Sequence, residues 1–179
     1  FGGGWTPKNY GGTSGGSVTV MEALVKSMNI PTVYLADQVG MGKVFHTAKK
    51  VGISTVAPEG AYSDANLATA LGGLTYGVSV WDMAKAYSVF ANGGKLVEPT
   101  VIMKVVDRNG KVLEDHSGAP ESTQVVDEAS AWTLTSVLEE VISRGTGGNA
   151  YIGRPSAGKT GTTDDEHDAW CVGYTADLS

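Results

Sequence analysis

The sequence predicts an α+β domain, with helices first and antiparallel strands last. Three observations carry that reading. Apolar residues recur at helical spacing in successive stretches between residues 19 and 93. The pair Asn109-Gly110, the strongest short-range hairpin signal, follows the β-rich run Val101 to Val106. Two strand-like runs, Ala157 to Thr163 and Ala169 to Tyr174, close the chain around the polar turn Asp164 to His167.

Residues 1 to 16 are rich in glycine, with Pro7 and Asn9 among them, and read as irregular loop. Thr19 and Glu22 have capping-box spacing, and Met21, Leu24, Val25 and Met28 fall on one helical face. Pro31 disfavours helical geometry in the residue before it, so this first helix should end near Asn29, leaving Ser27-Met28-Asn29 at a helix end. Pro31 suits the first turn of a second helix running to Gly40. Met41, Val44, Phe45 and Ala48 give a third face that ends at Gly52. Residues 53 to 78, with Pro58, Gly60, Gly72, Gly73 and Gly77, read as a long ordered loop.

A fourth helix starts at Ser79, whose spacing to Asp82 fits a cap, and buries Val80, Met83, Ala84 and Tyr87 before Gly93. After the hairpin and its return strand Val112-Leu113, a fifth helix puts Leu134, Val137, Leu138 and Val141 on one face and ends at Arg144-Gly145. There is no internal repeat. The organisation expected is one domain over residues 1–179, with 1–98 mainly helical and 99–179 holding the hairpin, the last helix and the final strands.

Composition narrows the function classes. The 179 residues carry a formal net charge of -6 and 13 Lys+Arg spread along the chain, which argues against a phosphate-gripping nucleic-acid surface. The nearest basic cluster, Lys43, Lys49 and Lys50, reads as a solvated helix face. The single Cys171 has no internal disulfide partner, and its apolar neighbours suggest a buried strand thiol. No run of ~18 apolar residues marks a membrane span, and the N-terminus has no basic-then-apolar signal pattern. The opening on Phe1 and the stop after a strand-like run read as a segment of a longer protein.

Lys159 takes part in three competing motifs. Gly153 to Thr160 matches the phosphate-loop pattern G-x-x-x-x-G-K-T. That loop works only between a buried strand and a helix whose N-terminus meets the phosphates. Neither flank supplies this, since turn and strand residues follow. Ser156-Ala157-Gly158-Lys159 fits S-x-x-K, a nucleophile motif that needs a helix to set the lysine one turn from the serine. Pro155 and Gly158 oppose that helix, and the match reads as coincidence. The third reading is Lys159-Thr160-Gly161-Thr162 on an edge strand facing a cleft.

Other candidates for chemistry are weaker. Asp164, Asp165, Glu166, His167 and Asp168 are consecutive in a turn and splay apart, so a solvated turn is expected rather than a metal site. His46 and His116 read as surface residues. Trp81, Trp132 and Trp170 fall on apolar faces and read as core, with Trp5 at the entrance of the cleft.

Ser27-Met28-Asn29 and Lys159-Thr160-Gly161 are, in order, the second and third short motifs of β-lactamases and penicillin-binding proteins. Their surroundings extend the likeness: Trp5 to Tyr10, Ala23 to Pro31, Leu71 to Gly77, Met83 to Tyr87, Phe90 to Gly94, Gly145-Thr146-Gly147, Ala157 to Thr163, Asp168 to Trp170 and Val172 to Tyr174. Over nearly its whole length the chain resembles the transpeptidase domain of class A, bifunctional penicillin-binding proteins.

The resemblance implies an antiparallel sheet flanked by helices, with the active site between the sheet edge and the helical part. It implies D,D-transpeptidation without a cofactor, by serine acyl transfer from the D-alanyl-D-alanine end of a peptidoglycan stem peptide, and binding of the β-lactams that mimic it. By carry-over, Ser27 bonds the catalytic lysine and relays a proton to the leaving amine, and Asn29 hydrogen-bonds the donor amide. Lys159 supplies positive potential, the hydroxyls of Thr160 and Thr162 hold the terminal carboxylate, and the N–H of Thr162 forms half the oxyanion hole around Gly161.

The nucleophile motif on its own helix and the family's last strand are expected outside these residues. The rest of the transpeptidase domain is therefore the implied partner, and this chain alone is expected to be inactive. The parent protein is expected to be membrane-anchored at the extracytoplasmic face, with lipid-linked precursor as substrate. The rival readings are a non-catalytic β-lactam sensor or structural wall protein of the same fold, and nucleotide binding through the glycine-rich loop.

Overall fold

The computed structural model describes residues 5–12, 16–57, 59–60, 62–163 and 167–179. The order of elements follows the sequence expectation: α1 (Val20–Val25), α2 (Asn29–Val39), α3 (Met41–Lys50), α4 (Val80–Ala91), then β1 (Lys95–Val97), β2 (Lys104–Val106), β3 (Val112–Asp115), β4 (Ser122–Gln124), α5 (Glu128–Arg144), β5 (Ala157–Thr162) and β6 (Ala169–Tyr174). Strands pair antiparallel as β1 with β4, β2 with β3 and β5 with β6. The class is α+β.

Three helices start where a short polar side chain takes over a free amide. Thr19 Oγ1 accepts from Glu22 N–H at 3.1 Å, Ser79 Oγ from Asp82 N–H at 3.0 Å, and Asp127 Oδ1 from Ser130 N–H at 2.9 Å. The second helix departs from expectation, because it begins at Asn29, two residues before Pro31. Pro31 thus falls within the first turn, where its missing N–H leaves no intrahelical bond unmade.

The helix α5 is the centre of the core. Its Leu138 and Val141 are packed with Val25 of α1, Ala157 of β5 and Tyr174 of β6. The Tyr174 hydroxyl stands 2.8 Å from Thr135 Oγ1, so the ring is buried with its polar end paired. A second cluster joins Val51, Ala86 and Val89. Gly158 of β5 is also under α5: a Cβ there would meet Val172 O at 2.8 Å and Ile142 Cδ1 at 3.3 Å.

Two features were invisible to pattern reading. The strands β1 and β4 have three residues each, too few for a period of two to register. Within the loop expected over residues 53–78, Leu67–Leu71 forms a 3-10 helix packed on α2. Buried Asp64 holds that loop, accepting from Ala57 N–H at 2.8 Å and Thr75 N–H at 2.7 Å. The hairpin turn lies at Asn109-Gly110 as expected, with Gly110 at φ 82° and Asp107 Oδ1 accepting from Asn109 and Lys111 N–H. Its first strand is shorter than expected, since Val101, Ile102 and Met103 are exposed and precede β2.

Candidate active site

The site begins at the corner that ends α1. Met28 N–H donates to Ala23 O at 2.8 Å and Ser27 N–H to Leu24 O at 3.1 Å, the paired bonds of a Schellman cap. That cap demands a left-handed residue, usually glycine. Here it is Ser27, at φ 53°, the one described residue other than glycine with positive φ. A strained serine at a helix end costs on the order of 1 kcal/mol or more and marks a position held for its side chain. Ser27 is exposed, with its hydroxyl outside the core.

The strand β5 brings Lys159 to meet it. Lys159 Nζ donates to Ser27 Oγ at 2.8 Å and to Thr160 O at 2.8 Å. Burial lowers the pKa of the Lys159 ammonium from the ordinary lysine value, because the charged form loses hydration. The edge of β5 follows from the same bonds. Thr160 O points to the open side toward Nζ, whereas Thr163 N–H donates across to Asp168 O at 3.1 Å. Strand alternation then directs the Thr162 N–H to the open side with Thr160. Gly161 and Thr162 are exposed.

Asn29 opens α2, two residues beyond Ser27. Its Nδ2 donates to Lys8 O at 2.8 Å, and Asn9 Oδ1 accepts from Ile30 N–H at 3.0 Å, so residues 8 and 9 brace the start of the helix. One amide hydrogen of Asn29 is thereby committed to Lys8. Ser27, Lys159 and Thr160 are brought together by direct bonds, and Asn29 adjoins them through the chain.

A description of the family decides what this arrangement belongs to: the penicillin binding protein transpeptidase domain matches residues 2–177. The chain belongs to the penicillin-binding protein transpeptidase family. Penicillin-binding protein 1A of Aquifex aeolicus is 41% identical over 172 residues, which is 96% of this chain and 22% of that protein. The penicillin-binding protein PonA1 of Mycobacterium tuberculosis superposes with a TM-score of 0.81 at 32% identity, over 95% of this chain and 48% of that one. A second PonA1 structure, in complex with penicillin V, matches with a TM-score of 0.81 over 94% of this chain and 48% of that one. The chain spans about a quarter of the length of the curated penicillin-binding proteins it matches. The class A resemblance and the α+β transpeptidase fold are thus both shown.

Within this transpeptidase frame the rival motifs fail on geometry. Gly153 to Thr160 runs into β5 rather than a helix, which removes the dipole and the aligned amides a phosphate loop requires. Ser156 likewise precedes a strand, so Lys159 is not one helical turn from it. The acidic residues Asp164, Asp165 and Glu166 lie outside the described residues.

Several burial expectations are corrected. Trp81 is 48% and Trp132 70% exposed, because each turns away from the packed face of its helix. Trp170 is half-buried, and Cys171 is exposed because it alternates with Trp170 and Val172 along β6. His46 and His116 are exposed as expected, His116 Nε2 lying 3.6 Å from a Glu114 carboxylate oxygen. Trp5 is 39% exposed on the segment that braces α2. No helix among the described residues is long and apolar enough to cross a membrane.

Proposed function

We propose that the chain forms the substrate-recognising side of a serine D,D-transpeptidase that cross-links peptidoglycan and is acylated by β-lactams. The observation that carries this reading is the 2.8 Å bond from Lys159 Nζ to Ser27 Oγ. Because Ser27 accepts from the lysine, its own hydroxyl hydrogen is free to point into the groove. There it serves the nitrogen of the leaving D-alanine as a proton donor, and the lysine stabilises the oxygen left behind.

The remaining roles follow the same chemistry. A serine of the first family motif, in the longer protein, attacks the carbonyl of the penultimate D-alanine. The developing oxyanion takes the Thr162 N–H, and removing one such donor typically costs about 3 kcal/mol of transition-state stabilisation. The terminal carboxylate takes the Thr160 and Thr162 hydroxyls and the Lys159 charge, which acts strongly in a partly dry groove. Asn29 orients the donor amide. The acyl-enzyme then passes its acyl group to an amine of a second stem peptide. These residues are read as the site of a protein held at the outer face of the bacterial membrane, with the 1–98 and 99–179 portions forming one transpeptidase unit together with the first-motif segment.

Fluorescent penicillin labelling tests the proposal. The protein that carries this chain should be covalently labelled, with Ser27→Ala and Lys159→Met each slowing labelling strongly. Unlabelled protein, or labelling indifferent to both substitutions, overturns it.

A further inference from the structure

The segment Gly145-Thr146-Gly147, between α5 and β5, is not accounted for by the roles above. It is packed closely, and at Gly145 backbone atoms leave no room for a side chain. A Cβ on Gly145 would meet Val25 O at 2.5 Å, and one on Gly147 would meet Ile142 Cδ1 at 2.8 Å. Gly145 and Gly147 both donate their N–H to Val141 O, at 3.1 and 3.0 Å, and Thr146 N–H donates to Val25 O at 3.3 Å. Val25 is two residues before Ser27. The segment is therefore fixed to the helix that presents the serine, and Arg144, which precedes it, is also tied to Glu22 of α1 at 2.9 Å.

The side chain between the glycines faces the other wall. Thr146 Oγ1 lies 2.7 Å from Thr160 Oγ1, and Thr146 is exposed. A hydroxyl can donate only once, so a Thr160 hydroxyl that donates to Thr146 has nothing left to give an anion. When Thr146 donates instead, Thr160 Oγ1 accepts, and the Thr160 hydrogen is turned outward. Thr146 has no other hydrogen-bond acceptor among the described residues, so it is free to take the donor's part.

We infer that Thr146 is a positioning residue that sets the direction of the Thr160 hydroxyl and so selects acyl donors bearing a free carboxylate. This rests on the transpeptidase reading and adds a residue to it. Thr146 acts through Thr160: it donates to Thr160 Oγ1, and Thr160 donates to the carboxylate. The chain of two hydroxyls strengthens the outer bond, since each polarises the next. Because the loop is bonded to α1 as well, the serine wall and the carboxylate-binding wall are referenced to one segment.

The test compares acylation by a penicillin and by its methyl ester, which keeps the reactive ring and loses the negative charge. In the protein that carries this chain, Thr146→Val should slow acylation by the free acid by about tenfold, the worth of one hydrogen bond to a charged group. Acylation by the ester should change by less than about twofold, within the scatter of uncharged contacts. Thr146→Ser, which keeps the hydroxyl, should retain the wild-type preference, and it keeps the test open if the valine variant does not fold. Equal slowing of acid and ester, or a serine variant that loses the preference, overturns the inference while leaving the transpeptidase reading intact. A wild-type protein that neither compound acylates overturns both.

Discussion

Lys159 Nζ and Ser27 Oγ stand 2.8 Å apart across a sequence separation of 132 residues, so one hydrogen bond joins the end of α1 to the open edge of β5.

Removing either partner should leave the fold and damage the chemistry. Lys159→Met is expected to slow penicillin acylation by about 10² to 10³, the usual loss when a charge aimed at the reacting group is deleted. Ser27→Ala is expected to cost about 10², in the range of a lost proton-transfer group. Stopped-time gel fluorescence of the labelled protein reads both.

On the proposed mechanism the Lys159 charge is expected to set a pH limb. Burial holds its folded pKa below the unfolded value, so the ammonium is lost at lower pH than in a free lysine. Acylation should fall on the alkaline side before pH reaches the ordinary lysine range. The stability consequence has the opposite sign: the burial penalty acts in full below the folded pKa and is relieved as pH rises toward the unfolded one. Lys159→Met should remove the limb, and its persistence in that variant would assign it elsewhere.

Ser27 separates stability from activity. With φ at 53°, glycine fits this corner without strain, so Ser27→Gly is expected to stabilise the protein by about 1 kcal/mol while abolishing the serine's chemistry. Ser27→Ala loses the same hydroxyl with no relief of strain. Thermal melts of the two variants side by side check this, and an equal melting temperature would count against a strained corner.

Gly145 permits the close seat of α5 on α1. Gly145→Ala puts a methyl 2.5 Å from Val25 O and 2.8 Å from Val141 O, both backbone atoms that cannot swing aside. A loss of about 2 to 3 kcal/mol is expected by urea unfolding, in the upper range for overpacking. Penicillin labelling should slow as well, because Val25 moves Ser27 with it.

Asp64 governs the loop over α2. The Ala57 N–H first, then that of Thr75, holds its carboxyl below the usual carboxylate range. The sign follows: its contribution is present above the unfolded pKa and is lost as pH falls through the folded one. Asp64→Asn keeps the shape but turns an amide toward N–H donors, and about 2 kcal/mol should be lost at neutral pH. The variant should also lose less stability than wild type on acidification.

Sequence reasoning reached the helices and the last two strands because their caps and spacing are local. Thr19, Ser79 and the Asn109-Gly110 pair announce structure within four residues of themselves. It reached Ser27 and Lys159 through short motifs, although their meeting depends on packing across α5. It reached Gly145-Thr146-Gly147 only as part of the family likeness, with no role for Thr146, and it did not reach β1 and β4, too short to show a period. Exposure was misjudged at Trp81, Trp132 and Cys171, since apolar character names what a residue prefers and not which face of an element the fold covers.

Gly158 makes the two walls of the groove unequal. With no side chain to hold them apart, β5, β6 and α5 pack directly on one another, while α1 is six residues long and ends in a bent corner. A bulky ligand wedged into the groove would therefore press on one wall closed backbone to backbone and on another that is a single short helix, whose last turn hands the load to the corner that carries the serine.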